Sequence, residues 1–403
     1  MKMNLNLPRI FQNLGKFILL VIFSLVCFQY LMSRHYRYAR RTPFTGKFIY
    51  NPYASLRSYW WKSNFHAHSI AWRFTNGHQY PGEIISHFKK DLKYDIACIS
   101  NYEKRTLYMP ATSPKYIPVY EHGYNIDKVH QLVFGLGPID YFDVSLLQTM
   151  DNEQYIIDRE KENCSLVALA HPGLRNAYSE NEMKSLSGYD LIEVISQEKF
   201  ATRQWDAALS SGKAPWIIAD DDCHDISNKD QTGISWTMVN ADTNNAADVL
   251  NSLRVGKTYG VSGNGGINNC HLESVSISDN IVTISVDSIA RQIRLIGQNG
   301  VLRKVIEHSA KACYKFRPDD TYIRAEIDFS SSRIFLNPLV RYDGKTIPGN
   351  PLTAAFAPME TFFDRVMILA IWLLGVVMLY FTKFLRIYIG RKQLYREYEP
   401  TLA

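Results

Sequence analysis

Polar and apolar positions divide the chain into stretches of different rhythm. At each end lies an apolar run without a charge, residues 17–32 and residues 366–382. From residue 59 to about residue 265, short apolar runs alternate with segments of helical spacing. Residues 95–100, 165–170, 190–195 and 215–219 read as buried strands, and residues 81–90, 181–186, 199–210 and 246–254 as helices. That alternation predicts the α/β class with a parallel sheet or barrel. Beyond residue 266 the period drops to two, at 272–277, 281–286, 292–296, 322–327 and 333–336, with Gly, Asn and Asp between. This pattern predicts a small β-sandwich.

The apolar ends read as membrane spans. A spanning helix needs roughly 20 apolar residues, with about 17 tolerable when flanking side chains snorkel. No small-x-small cleavage site follows the first run, and SRHYRYARR comes next, which predicts an uncleaved anchor over a signal peptide. The second run is apolar around its circumference and ends in a basic tail, which favours a span over a buried core helix. The expected layout is therefore a tail (1–16), a span (17–32), a linker (33–58), a main domain (59–265), a β-rich domain (266–349), a linker (350–365), a span (366–382) and a basic tail (383–403).

Charge bears on sidedness. Lys383, Arg386, Arg391, Lys392 and Arg396 follow the second span, so that end is expected in the cytoplasm and the middle of the chain outside it. Arg34, Arg37, Arg40, Arg41 and Lys47 pull the other way, against Lys2, Arg9 and Lys16. The formal net charge of +6 gathers beside the two apolar ends, so it marks a bilayer as partner and no nucleic acid. Six cysteines show no CxxC pair and no disulfide framework. Nothing in the sequence speaks to oligomeric state.

Candidate chemistry sits where the strands end, the place where α/β sheets and barrels gather ligands. His66 and His68 follow WWKSNF, Glu121 follows the run 116–120, and His130 precedes an apolar run. His171 follows the strand 165–170, and Asp222 and His224 follow the strand 215–219. Five of the eleven histidines fall in this set, so it is more than chance scatter of a common residue. Side chains two apart on an extended segment share a face, so His66 and His68 can hold one ion, and Asp222 with His224 repeats the arrangement. Imidazole and carboxylate suit divalent zinc, manganese or iron. Such ions polarise a phosphoryl or carbonyl oxygen and lower the pKa of a bound water, so a metal-bound hydroxide is the expected nucleophile. Glu193 and Asp221 are candidates for orienting the ligand imidazoles. Arg175 is a candidate for a substrate phosphate, against the commoner role of a solvated loop arginine. Ser-His-Asp catalysis has no support, as GxSxG is absent, and no P-loop or GxGxxG opens a helix.

The order HxH, Glu, His, His-Pro-Gly and DxH resembles the PHP family, named for polymerase and histidinol phosphatase, over roughly residues 59–265. The resemblance implies a distorted (β/α)7 barrel, metals held by His66, His68, Glu121, His130, His171, Asp222 and His224, and phosphoester hydrolysis. All of these except His130 are expected to act directly in catalysis. DDCH at 221–224, GISWTMV at 233–239 and TYGVSG at 258–263 are similar to the CehA/McbA branch, whose members carry a β-rich C-terminal extension. That branch brings carboxyl or carbamate ester hydrolysis as an alternative to phosphoester hydrolysis. Two departures stand out: Ser100-Asn101-Tyr102 where the family usually reads T-D-H, and Thr75-Asn76-Gly77 where it usually reads S-D-G. Each trades a good ligand for a poor one, so one or two ions are expected in place of three. The same departures motivate a further alternative, a non-catalytic envelope protein that keeps the barrel for binding.

Overall fold

The computed structural model describes residues 7–73, 75, 77–197, 199–267 and 270–396. The fold is mixed α/β, and seven strands position the site: β1 Trp60–Asn64, β2 Ile96–Ala97, β3 Val119–His122, β4 His130–Phe134, β5 Leu166–Ala170, β6 Leu191–Ser196 and β7 Trp216–Asp220. β5, β6 and β7 pair in parallel, while β4 lies antiparallel to β3 and β5. β1 and β2 pair in parallel within a second sheet. Parallel single-residue bridges join the two sheets at one rim, Tyr102 with Glu121 and Ala67 with Cys223. Every residue of β5, β6 and β7 is buried. Covered on both faces, these strands read as continuous apolar runs without alternation.

Helices α2 Pro81–Ser86, α3 Met150–Asn163, α4 Glu180–Met183 and α5 Thr202–Ser210 connect the strands. Strict alternation over seven strand–helix units, as the family resemblance implied, is not found. No helix separates β2 from β3, where Pro110, Pro114 and Pro118 interrupt the segment. β3 and β4 form a hairpin whose turn starts at Gly123, φ +124°, and is tied by Asn125 to the N–H and C=O of Val129 at 2.9 and 2.8 Å.

The longer strands that follow are β8 Ser235–Asn240, β9 Thr258–Ser262, β10 Leu272–Ser278, β11 Ile281–Gly297, β12 Val301–Lys315, β13 Tyr322–Asp328 and β14 Arg333–Tyr342, with α6 Ala246–Arg254 between β8 and β9. Their order is β10-β11-β13-β14-β9-β8-β1-β2, with β12 paired to β11. The C-terminal strands thus share one sheet with β1, where the sequence led us to expect a sandwich standing apart. A period of two reports which face of a strand is buried, not which strand it pairs with. This sheet meets β7 through side chains. Thr237 Oγ donates to Ala219 O and accepts from its N–H, both at 2.8 Å; Thr258 Oγ donates to Ile217 O at 2.9 Å; and Asn337 Oδ1 accepts from Ile217 N at 2.9 Å. Hydroxyls and an amide so satisfy the β7 edge that no backbone ladder covers.

Helix α1, Leu7–Met32, and helix α7, Pro358–Arg396, lie at the ends. Stretches Phe11–Met32 and Pro358–Leu379 have mean hydropathies of 2.1 and 2.2, so each is long and apolar enough to cross a membrane. Both helices start before the apolar runs do, so part of the expected 350–365 linker is helical. They pack side by side, with Trp372 donating to Ser24 Oγ at 2.9 Å and Arg365 to Leu31 O at 2.9 Å. Short strands Tyr36–Arg37 and Ala355–Phe356 pair beneath them. Asn152 donates to Ser33 Oγ at 2.7 Å, and Asp151 accepts from Tyr36 N–H at 3.2 Å and Tyr38 O–H at 2.8 Å. The helix pair is therefore docked onto the start of α3.

Candidate metal centre

All seven residues singled out from the sequence meet at the bridged rim. His66 and His68 lie just past β1, and Asp222 and His224 just past β7. His171 follows β5 and His130 heads β4, which runs the opposite way and so presents its first residue at the same rim. Glu121 lies inside β3, where the sequence placed it just past a strand. His171, φ +30°, and Asp222, φ +47°, both hold left-handed backbone conformations, uncommon for residues other than glycine and concentrated where the surroundings fix a functional geometry.

Six of the seven are buried, and His224 is partly so. His66 Nε2 stands 3.1 Å from His68 Nε2, 3.3 Å from Glu121 Oε2 and 3.2 Å from Asp222 Oδ1. His68 Nε2 is 3.0 Å from Glu121 Oε2 and 3.3 Å from Asp222 Oδ1. The second Glu121 oxygen meets His130 Nδ1 at 2.7 Å and His171 Nε2 at 3.1 Å. Asp222 Oδ1 also faces His224 Nε2 at 3.3 Å. These residues form four overlapping triads, each with its donor atoms within 4.8 Å of one another, and Glu121 and Asp222 each belong to two.

Burial opposes charge on Glu121 and Asp222, yet the imidazoles around them hold both carboxyls well below the usual carboxylate range. Burial also opposes charge on His66, but Asp222, Glu193 and Glu121 outweigh it and draw its pKa up. The cluster therefore holds ionised carboxylates that attract positive charge. Glu121 Oε2 and Asp222 Oδ1 are buried without a hydrogen-bond partner, as are His130 Nε2, His171 Nδ1 and His224 Nδ1. Glu121 Oε2 and Asp222 Oδ1, which converge on His66 Nε2, are costly in the interior unless a cation lies beside them. The residues present thus fit a divalent ion.

Glu193 holds two ligand candidates at once. Its Oε1 accepts from His66 Nδ1 at 3.0 Å and its Oε2 from the His171 N–H at 2.6 Å. A proton on His66 Nδ1 leaves Nε2 as the acceptor facing the cluster. Asp221 plays a different part. It accepts the N–H groups of Gly233, Ile234 and Ser235 at 2.8, 2.9 and 2.9 Å, and burial brings its carboxyl up to about 6. It shapes the entry to β8.

Tyr102 stacks on His68, centroids 4.6 Å apart, and meets His130 edge-on at 5.5 Å. Burial, with Glu121 and Asp222 nearby, pushes its hydroxyl far above the ordinary tyrosine range, so it stays a neutral phenol. Asn101 points away, accepting Ser69 N–H at 2.8 Å and donating to Ser69 Oγ and Thr106 Oγ at 2.8 and 2.6 Å. Asn76 lies outside the described residues. Arg175 is exposed just past the His-Pro-Gly turn. The sequence reading missed Gln197, which donates to Asp222 O at 2.6 Å and Oδ2 at 3.3 Å. Its one signal was its place just past β6. Tyr102 counted there as a lost ligand, not as a wall of the site.

No family model and no curated protein matches the chain. A similar solved structure is a two-domain protein containing a predicted PHP-like metal-dependent phosphoesterase from Bacteroides vulgatus. It is 13% identical, covers 79% of this chain and 99% of its own, and has a TM-score of 0.38, too low to carry function or fold to this chain.

Proposed function

We propose that the protein is a membrane-tethered, metal-dependent phosphoesterase built on a distorted PHP-type barrel. The observation that carries this reading is the set of orphaned carboxylate and imidazole acceptors buried at one rim. The bridges Tyr102–Glu121 and Ala67–Cys223, which link seven strands into a ring, support the barrel. The apolar helices α1 and α7 support the tether.

His66, His68, Glu121, His130, His171, Asp222 and His224 hold one or two divalent ions in this reading. Such ions supply Lewis-acid polarisation of the phosphoryl oxygen and lower the pKa of water. The chain's own groups do the rest. Glu193 keeps the His66 proton on Nδ1 and fixes the backbone at His171. Gln197 anchors the strained turn at Asp222. The Tyr102 ring closes one side and limits water, and Arg175 is free to meet the substrate phosphate.

The test uses the full chain in detergent, stripped of metal and reloaded with manganese or zinc. One or two ions per chain by elemental analysis are expected, with hydrolysis of p-nitrophenyl phosphate exceeding that of carboxyl and carbamate esters. His66→Ala and Asp222→Ala abolish both metal and turnover while circular dichroism is unchanged. A folded protein without bound metal overturns the reading in favour of a binding role. Preference for the carboxyl or carbamate ester moves it to the alternative chemistry, and three tightly bound ions refute the reduced count.

A further inference from the structure

We propose that the substrate is a membrane-resident phosphoester, a lipid phosphate presented to the metal centre from the bilayer surface. This rests on the phosphoesterase and membrane readings above. It follows from which rim of the ring the apolar helices are docked against.

The hairpin turn 123–129 joins Glu121 to His130, so it lies at the metal rim. Ile126 N–H donates to Ser145 O at 3.1 Å, and Ser145 donates to Gln29 Oε1 through N–H at 3.2 Å and Oγ at 2.6 Å. Tyr30 O–H donates to Leu147 O at 2.6 Å. Gln29 and Tyr30 belong to the last turns of α1. The helix that reads as a span therefore ends against the loops bordering the metal centre. The opposite rim, where β4 ends at Phe134, has no such contact among those described.

The rim itself is apolar where it faces out. Ile70, Trp72, Tyr124, Ile126, Leu146 and Leu147 are 42% to 64% exposed. Single exposed apolar residues are ordinary, but a group of them along one edge marks an interaction surface. Contacts join this edge to the site. Trp72 donates to Tyr102 O at 2.7 Å, Tyr102 stacks on His68, and Gly123 N–H donates to Glu103 Oε1 at 2.9 Å. Gly77 approaches Ser69 closely, since a Cβ there would lie 2.3 Å from Ser69 O. The occupant is a bilayer, because the edge continues into α1, and aromatic residues beside aliphatic ones suit the headgroup level. Arg73, exposed, and Lys104, 5.0 Å over the Trp72 ring, place cations at the same edge to meet lipid phosphate. Hydrolysis forms one P–O bond from water and breaks the P–O bond to the lipid alcohol. The protons of water end on that alcohol and on the released phosphate.

The experiment places the full-chain protein, loaded with manganese, in phosphatidylcholine nanodiscs containing phosphatidic acid, with glycerol phosphate as the soluble comparison. Turnover of phosphatidic acid is expected to exceed that of glycerol phosphate by about tenfold or more, because remote binding energy is used at the reacting centre. The double variant Ile126→Glu/Leu147→Glu lowers lipid turnover about tenfold and leaves glycerol phosphate turnover unchanged. Independently of turnover, a fluorescent residue replacing Ile126 is quenched by brominated phosphatidylcholine, while one replacing Leu136, beyond the opposite rim, is not. Absence of quenching at 126, or equal turnover of both phosphates insensitive to the double variant, overturns the proposal. Quenching at 126 with no turnover of any phosphoester removes the phosphoesterase reading and this substrate with it, while the membrane reading stands.

Discussion

Two buried clusters of charge in this protein use similar ingredients to opposite ends. One ties α5 to β13. Arg324, 2% exposed, donates through Nε and one terminal nitrogen to both oxygens of Asp206 at 2.7 and 2.6 Å, and through the other to Glu326 at 2.7 Å. Tyr322 O–H completes Asp206 at 2.9 Å, and the guanidinium lies 5.2 Å over the Trp205 ring. Each nitrogen of Arg324 has its oxygen, and Arg294 donates to the other Glu326 oxygen at 2.7 Å, so the side chains of this network satisfy one another. In the other cluster, at the rim, Glu121 Oε2 and Asp222 Oδ1 both converge on His66 Nε2, at 3.3 and 3.2 Å, and each is buried without a hydrogen-bond partner. Burial of charge alone therefore does not identify a functional site. What separates the two is whether the groups satisfy one another.

The largest effect that can break this comparison comes from the complete network. Arg324→Ala leaves Asp206 buried without its cation, while Glu326 keeps Arg294 at 2.7 Å, with an expected loss of about 3–5 kcal/mol of stability in urea unfolding. Metal content per folded chain stays as in the parent; a loss of metal would mean that the two clusters are coupled. Next in size, Glu193→Gln keeps the shape but weakens the hold on His66 and His171. Metal affinity is expected to fall about 10–100-fold in chelator competition, while the metal-free protein unfolds as before. An unchanged affinity would reduce Glu193 to a strand residue. The smallest effect sharpens the comparison from within the rim. Tyr102→Phe leaves metal stoichiometry unchanged by elemental analysis, because the side chain serves as a ring stacked on His68, whereas Tyr102→His raises it. A lower count in Tyr102→Phe would place the phenol oxygen on an ion.

The legible part of the site was its inventory. Each side chain at a strand end announced itself by the apolar run before it, as at His171 and Asp222. Glu121 was found although its strand runs two residues further than the pattern suggested, since the apolar residues Val119 and Tyr120 do not mark where pairing stops. The helix at 246–254 was read to its ends because the helical spacing of its apolar residues runs through the whole element. The join between β9 and β14 was not legible. Those strands are far apart in sequence, and their pairing depends on which edges the rest of the fold leaves open. Nor could the sequence show that Asn101 turns to Ser69 while Tyr102 turns to His68, because both directions are compatible with the same local backbone.

By itself, the sequence determined the two apolar ends, the α/β rhythm between them and the identity of the seven candidate ligands. Those are local properties, set by residue type and by periods of two and 3.6 that any short window displays. Only the tertiary structure decided that the seven meet at one rim, that Glu193 holds two of them, and that α1 ends against that same rim. These depend on contacts between segments tens to hundreds of residues apart, whose geometry follows from packing and from the satisfaction of buried polar groups.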